Sequence, residues 1–244
     1  QTHTGIPADC VFVSCTHTHS GPVTNTIVAW QSDPAMPPPD HEYLRSVEAK
    51  VVAAAEEACS RPVPAEVAWT TADVTGAGSN RLSPDGPTDA EMGILAVRKN
   101  ACGTLLALGL IYGMHPTVLH EDSTLVSSDF PFYARHHLRE QFGPDVTVLY
   151  HTAPEGDQSP RHFVREQTFR EAERLGRMLG TAAADRLKAL GDAGFDPDPL
   201  LSGAVRKVEL PRRALPSVAA ARKQVARYRD RYETLRTHNA GHGP

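Results

Sequence analysis

Two apolar runs, Met92-Gly93-Ile94-Leu95-Ala96-Val97-Arg98 and Thr104-Leu105-Leu106-Ala107-Leu108-Gly109-Leu110-Ile111-Tyr112, set how this chain folds. They are joined by Asn100-Ala101-Cys102-Gly103, a short polar link with a glycine, and so read as a β-hairpin. The second run is nearly all apolar, which places it in the middle of a sheet. It leads directly into Gly113-Met114-His115-Pro116, carrying a histidine to a strand end.

Working outward, Val146-Thr147-Val148-Leu149-Tyr150 reads as a short strand opening onto the loop His151 to Arg161. Glu66-Val67-Ala68-Trp69-Thr70-Thr71 reads as another, followed by a loop from Gly76 to Pro87 rich in Gly, Pro, Asn and Asp. Near the start, Val11-Phe12-Val13-Ser14-Cys15 reads as a buried strand that delivers Thr16-His17-Thr18-His19-Ser20-Gly21-Pro22 to its carboxyl end. Ala204 to Leu210 is a further expected strand.

Helices fall between these strands. Beyond the Pro-rich loop with Asp33-Pro34 and Pro37-Pro38-Pro39, Asp40 is placed to cap a helix of about 19 residues. Its apolar positions Leu44, Val47, Val51, Ala54, Ala55 and Ala58 share one face, which is expected to pack on a sheet. Phe130 to Phe142 reads as a helix stopped by Gly143-Pro144. A long helix runs from about Phe163 to Leu190, with Phe169, Ala172, Leu175, Leu179 and Ala182 in phase. Pro216 to Thr237 reads as an Arg-rich helix facing solvent on most sides. A hairpin within an irregular alternation of strands and helices points to a mixed sheet with outer helices.

Composition narrows the function. The net charge of −4 offers no basic surplus for phosphates, which excludes nucleic acid as the main partner. No apolar run approaches the roughly 18 residues of a membrane span. The 4 cysteines lack C-x-x-C spacing, so a thiolate zinc site is not expected, and Cys10 and Cys15 flank a strand that would hold them too far apart to bridge. The 12 histidines stand out, because imidazole is both a common metal ligand and a group that titrates near neutrality. The chain begins Gln1-Thr2-His3 and ends Gly241-His242-Gly243-Pro244, and reads as a piece of a longer protein cut at both ends.

Three strand ends carry the candidate chemistry. The first brings His17 and His19, the second His115, the third Gly156-Asp157-Gln158-Ser159-Pro160. Side by side in one sheet, these groups converge. Zinc takes imidazole nitrogen readily and a catalytic site leaves one position for water. Two histidines need a further ligand, which Glu121-Asp122 could supply. Arg81, beside Asn80, could clamp a carboxylate or stabilise an oxyanion, or lie on the surface. Asp129 is adequately explained as a helix N-cap, and His136-His137 as a surface pair; His120 and His151 carry no distinct signal. Ser159 is either a nucleophile or a residue that shapes its turn. It does not sit in a G-x-S-x-G elbow.

Taken together, these segments resemble the N-terminal catalytic domain of the neutral/alkaline non-lysosomal ceramidase family. The matching pieces are Thr16 to Pro22; Asn80-Arg81 with Asp85-Gly86-Pro87 and Asp89-Ala90-Glu91-Met92; His115-Pro116-Thr117 with Leu125-Val126-Ser127-Ser128-Asp129; and Gly156 to Pro160. They occur in the family's order between about Gly5 and Gly180. The resemblance implies an α/β fold of mixed β-sheets flanked by helices, here an incomplete two-sheet catalytic domain in which residues 1–244 form a single unit. It implies a zinc-dependent amidase acting on a small-molecule or lipid amide, such as an N-acyl sphingolipid.

In that family two histidines, a glutamate and a tyrosine hold the metal, and the histidines map onto His17 and His115. His19 and Arg81 would contact the substrate or the reacting carbonyl. Ser159 maps onto a serine cast as nucleophile, with a zinc-bound water as the competing assignment. The glutamate and tyrosine belong to a later part of the family domain, and no match to them precedes Pro244. The alternative is a non-catalytic relative that binds metal or ligand without turnover; a serine hydrolase of the same fold is a third reading.

Overall fold

The computed structural model describes residues 4–25, 38–100, 102–120, 123–212 and 214–238. It divides the chain into two compact units, 1–204 and 205–244.

The first unit is built on a mixed sheet. Its strands are β1 (Ala65–Asp73), β3 (Glu91–Lys99), β4 (Leu105–Tyr112) and β5 (Thr147–Thr152), in that spatial order. β1, β3 and β4 are antiparallel neighbours, while β5 joins β4 in parallel. The hairpin and the central place of β4 match the expectation from its apolar run. A separate two-stranded ladder joins β2 (Ser79–Asn80) to β6 (Gln158–Ser159).

One face of the sheet is covered. Ala68, Met92, Ile94, Ala96, Leu108, Leu110, Tyr112, Val148 and Tyr150 are buried in the core. Two helices cover them: α2 (Phe130–Phe142) and α3 (Phe169–Leu190). Helix α3 contributes Ala172, Leu175, Leu179, Ala183 and Leu187 at helical spacing, and α2 contributes Phe130, Ala134 and Leu138. Small residues let the two helices approach closely. A Cβ added at Gly176 would stand 2.5 Å from the Phe130 carbonyl oxygen and 2.5 Å from Tyr133 Cβ. Helix α3 starts at Phe169, later than its apolar pattern suggests, because the Thr168 hydroxyl accepts from the Glu171 amide and caps it there.

Among the described residues no helix covers the opposite face. Successive strand residues point to opposite sides, so Trp69, Leu95 and Leu149 stand exposed, the last two in a groove of about 530 Å³ that Phe12 also lines. Helix α1 (His41–Ser60) is capped by Asp40, whose carboxylate accepts from the Glu42 and Tyr43 amides, as the sequence indicates. No residue of α1 is buried against the described residues, which corrects the expectation that its apolar face packs on the sheet.

Two expected strands are absent. Residues 11–15 pair with no strand among the described residues, and Val11, Phe12 and Val13 are exposed. Hydrophobic content alone does not make a strand when no neighbouring edge receives its hydrogen bonds. Residues 204–210 likewise form no strand. His136-His137 is not a simple surface pair either. His136 points outward, but His137 packs between α2 and α3, where Arg177 Nη1 donates to its Nδ1 at 3.0 Å.

All four cysteines are exposed and unbridged. Among the described helices none is long and apolar enough to cross a membrane. In the second unit, α4 (Val218–His238) is exposed along nearly its whole length, as its Arg-rich sequence indicates.

Candidate metal centre

His115 leaves the sheet three residues after β4 ends and is 7% exposed. Its backbone N–H donates to the Gln158 carbonyl at 3.1 Å, and its ring Nδ1 lies 2.9 Å from the same oxygen. A ring that donates from Nδ1 to a backbone carbonyl keeps Nε2 as a lone pair, the tautomer a metal ligand requires. Gln158 belongs to β6, so the β2–β6 ladder is what orients this imidazole.

His17 and His19 come from a segment that no strand supports. It is held instead by the loop before α2. Thr18 Oγ1 donates to the Ser127 carbonyl at 2.6 Å, Ser127 N donates to the Ser20 carbonyl at 2.8 Å, and Ser20 N donates to Thr18 Oγ1 at 3.2 Å. That loop is fixed in turn by Asp129, fully buried, whose carboxylate accepts from Phe130 N at 2.7 Å and Leu119 N at 2.9 Å. Asp129 is therefore the N-cap of α2 that the sequence suggests, and also a tie across the preceding loop. His17 has φ of 63°, in the left-handed region that side chains other than glycine seldom occupy. Strain of this kind, of order 1–3 kcal/mol, is characteristic of functional sites.

The outcome is a cluster of three imidazoles. Ring centroids lie 4.8 Å apart for His17 and His115, 4.9 Å for His17 and His19, and 5.6 Å for His19 and His115. One ligand nitrogen from each falls within 4.8 Å of the other two. The residues expected to converge thus do so, although the strand expected to carry the first pair is missing. His17 and His19 are held below the usual histidine pKa, first by burial and then by neighbouring positive groups including Arg81. Neutral imidazole is the form that binds metal.

Arg81 follows β2 directly, and its N–H donates to the Asp157 carbonyl at 2.6 Å. Its charge is felt at His17, His19 and Glu155. Asn80 Nδ2 donates to Asp157 Oδ2 at 3.3 Å, so the two loops are joined by side chains as well as by backbone.

Ser159 is 5% exposed, and its hydroxyl accepts from the Arg161 N–H at 3.3 Å. Among the described residues no ring nitrogen or carboxylate hydrogen-bonds that hydroxyl. This is the geometry of a turn-shaping serine. His151 is engaged apart from the cluster, its Nδ1 2.6 Å from Ser14 Oγ. Glu121-Asp122, suggested as a source of a carboxylate ligand, lies outside the described residues.

One residue escaped the sequence reading. Glu155 is 8% exposed, and its Oε1 lies 3.7 Å from His17 Nε2. Burial pushes its carboxyl up to about 7, against the pull of Arg81. Its sequence context, Pro154-Glu155-Gly156, is that of an ordinary polar turn. Only the closure of β5 toward the histidines shows that it faces them.

No protein-family model matches this chain, and no curated protein matches it. Solved structures do. A ceramidase complexed with C2 superposes with a TM-score of 0.61 at 19% identity, over 70% of this chain and 29% of that one. The neutral ceramidase of Pseudomonas aeruginosa gives a TM-score of 0.53 at 18% identity, over 60% of this chain and 26% of that one. The chain thus spans under a third of the length of these neighbours. At such identities the likeness is one of fold: the first unit has the mixed α/β fold of part of a ceramidase structure.

Proposed function

We propose that this chain carries the metal-binding part of a zinc-dependent hydrolase that cleaves an amide bond, with an N-acyl lipid of the sphingolipid class as its substrate. The observation that carries this reading is the convergence of His17, His19 and His115, which come from two distant parts of the sequence. The fold likeness to ceramidases points the same way, and so do the sequence motifs that bring these histidines and Arg81 together.

The donor set fits zinc. His115 has its Nδ1 committed to a carbonyl and its Nε2 available, and His17 faces it at ring-contact distance. His17 and His115 would hold the ion. Zinc, when bound, polarises a carbonyl and lowers the pKa of its water toward neutrality. His19 packs edge-on against both rings, where it would orient the scissile group. Arg81 would place its fixed positive charge where the tetrahedral oxyanion develops. Ser159, bonded into its turn, would shape the site and keep Gln158 under His115.

The test is metal content. The full chain, freed of metal with a chelator and reloaded, is expected to take up one zinc per molecule with a Kd at or below about 1 μM. His17→Ala and His115→Ala should each abolish that uptake. Wild-type protein without a zinc site in this range would end the reading. Hydrolysis of N-acyl amides by zinc-loaded protein, lost in His17→Ala, distinguishes the enzyme from a relative that binds metal without turnover.

A further inference from the structure

Helix α4 is exposed along nearly its whole length, yet its sequence is not polar all round. Val218, Ala221, Val225, Tyr228, Tyr232 and Leu235 recur at alternating steps of three and four residues. That is the a and d pattern of three consecutive heptads, and it draws one narrow apolar seam down the helix. Apart from the half-buried Ala221, every member of the seam is more than half exposed, from 52% for Leu235 to 70% for Val218. A contiguous apolar seam in water marks an interaction surface.

The charges are ordered about that seam. Arg222, Arg229 and Arg236 occupy the three e positions and Arg231 a g position, so arginine lines both edges. The two acids of the helix, Asp230 and Glu233, fall at f and b on the far side, where Glu233 Oε2 lies 3.8 Å from Arg236 Nε. The imbalance extends to the whole second unit. Residues 205–244 hold 10 of the chain's 25 lysines and arginines but 3 of its 29 acids, in a chain whose net charge is −4.

These features discriminate between occupants. A second copy of α4 is a poor one. In a parallel pair Arg231 would face Arg236 of the other copy, and in an antiparallel pair e faces e, so arginine again meets arginine. Like charges set opposite each other suppress such a pairing. A bilayer surface is a poor one too. Interfacial helices sink Trp, Phe and Leu from a broad apolar face, whereas this seam is narrow and offers one leucine and no Trp or Phe. A helix with its own apolar seam and carboxylates on either side meets every feature, since the valines and tyrosines pack into it and the edge arginines find charge-assisted partners.

We infer that α4 is a recognition helix that pairs, as one strand of a heterotypic coiled coil, with an acidic amphipathic helix of a partner protein. The inference is independent of the metal centre and of its chemistry.

The experiment measures fluorescence anisotropy of a labelled 28-residue peptide titrated with the full chain. The probe has four heptads, with leucine at a and d and glutamate at e and g. It should bind with a Kd at or below about 10 μM in about 50 mM salt, weakening at least about tenfold in about 0.5 M salt. The same peptide with lysine at e and g should bind at least about 30-fold more weakly. The triple variant Arg222→Glu, Arg229→Glu, Arg236→Glu should reverse that preference and take the lysine peptide. Tyr228→Ala with Tyr232→Ala, which keeps the charges and favours helix, should weaken binding of the glutamate peptide at least about tenfold. Circular dichroism checks that each variant keeps its helix. Failure of the wild-type chain to bind the glutamate peptide would overturn the inference. Equal binding of a glutamate peptide with serine at a and d would also overturn it, leaving only attraction to any polyanion. So would tighter binding to vesicles of phosphatidylcholine and phosphatidylserine than to the peptide, or a wild-type dimer in sedimentation velocity that the tyrosine variant abolishes.

Discussion

Replacing Thr18 by Val tests whether the histidine segment is held by its hydroxyl clamp rather than by a strand. Valine keeps the branched shape but removes two hydrogen bonds, the one donated to the Ser127 carbonyl at 2.6 Å and the one accepted from Ser20 N at 3.2 Å. Each is worth a net of about 0.5–1.5 kcal/mol. The site is only partly buried, so water replaces some of this, and about 2 kcal/mol is a fair expectation for the pair. The rest of the segment makes few core contacts, since Val11, Phe12 and Val13 are exposed. The loss should therefore appear as disorder of His17 and His19 and not as global unfolding. At about 1.4 kcal/mol per tenfold, 2 kcal/mol corresponds to roughly 30-fold weaker zinc binding. The assay is chelator competition with zinc on wild type, Thr18→Val and Thr18→Ser, beside thermal unfolding of the metal-free proteins. Thr18→Ser retains the hydroxyl and should stay within about threefold of wild type. Unchanged affinity in Thr18→Val would refute the clamp. So would a fall in metal-free stability large enough to account for the whole effect.

Other perturbations probe the frame around the site. Gly176→Ala should destabilise by about 1–3 kcal/mol despite the better helix propensity of alanine, because the new methyl meets backbone atoms of α2; urea titration that shows a gain would contradict this packing. Gly180→Ala should cost less, since its closest contacts, at 2.8 and 3.0 Å, are side-chain atoms of His137 and the nearest backbone atom, the Ala134 carbonyl oxygen, stands at 3.2 Å. Asp129→Ala removes two hydrogen bonds to a fully buried carboxylate and should cost about 3 kcal/mol by the same titration, with no loss expected only if the loop before α2 finds other partners. Burial holds the Tyr112 hydroxyl, which donates to the Val74 carbonyl at 3.1 Å, up to about 12. A raised folded pKa gives stability that is complete below pH 10 and lost as pH climbs to about 12, here about 2–3 kcal/mol. Tyr112→Phe should flatten that alkaline loss in part, Tyr150 being raised as well, and a slope identical to wild type would count against it.

The legible parts of this chain were those with local signals. β3, β4 and α2 could be read from alternation, an apolar run and an Asp–Gly frame, because each element carries its own period and stops. Asp40 and Asp129 were readable as caps for the same reason. β2 and β6 were invisible: two residues cannot show a period, and their pairing depends on loops far apart in sequence. The run 11–15 misled because a strand needs a partner edge, which composition does not report. Helix α1 misled similarly, its amphipathic pattern showing a face without showing what covers it. Of the site, the histidines and Arg81 were readable from motifs. Glu155 was not, since a turn glutamate is commonplace until tertiary closure buries it.

The ladder of β2 and β6 sets different tolerances for length changes on its two sides. Loop residues 82–85 lie outside it, so lengthening there should leave His115 and Arg81 where they are. One extra residue between Gly78 and Asn80 would slip the pairing by a single step and turn alternate side chains to the opposite face. Arg81 would then point away from the imidazoles, and Gln158 would lose its opposite number in Asn80. Homologous chains built on this plan should vary freely in span beyond Leu82 and hold a fixed count of residues from Gly78 to Arg81.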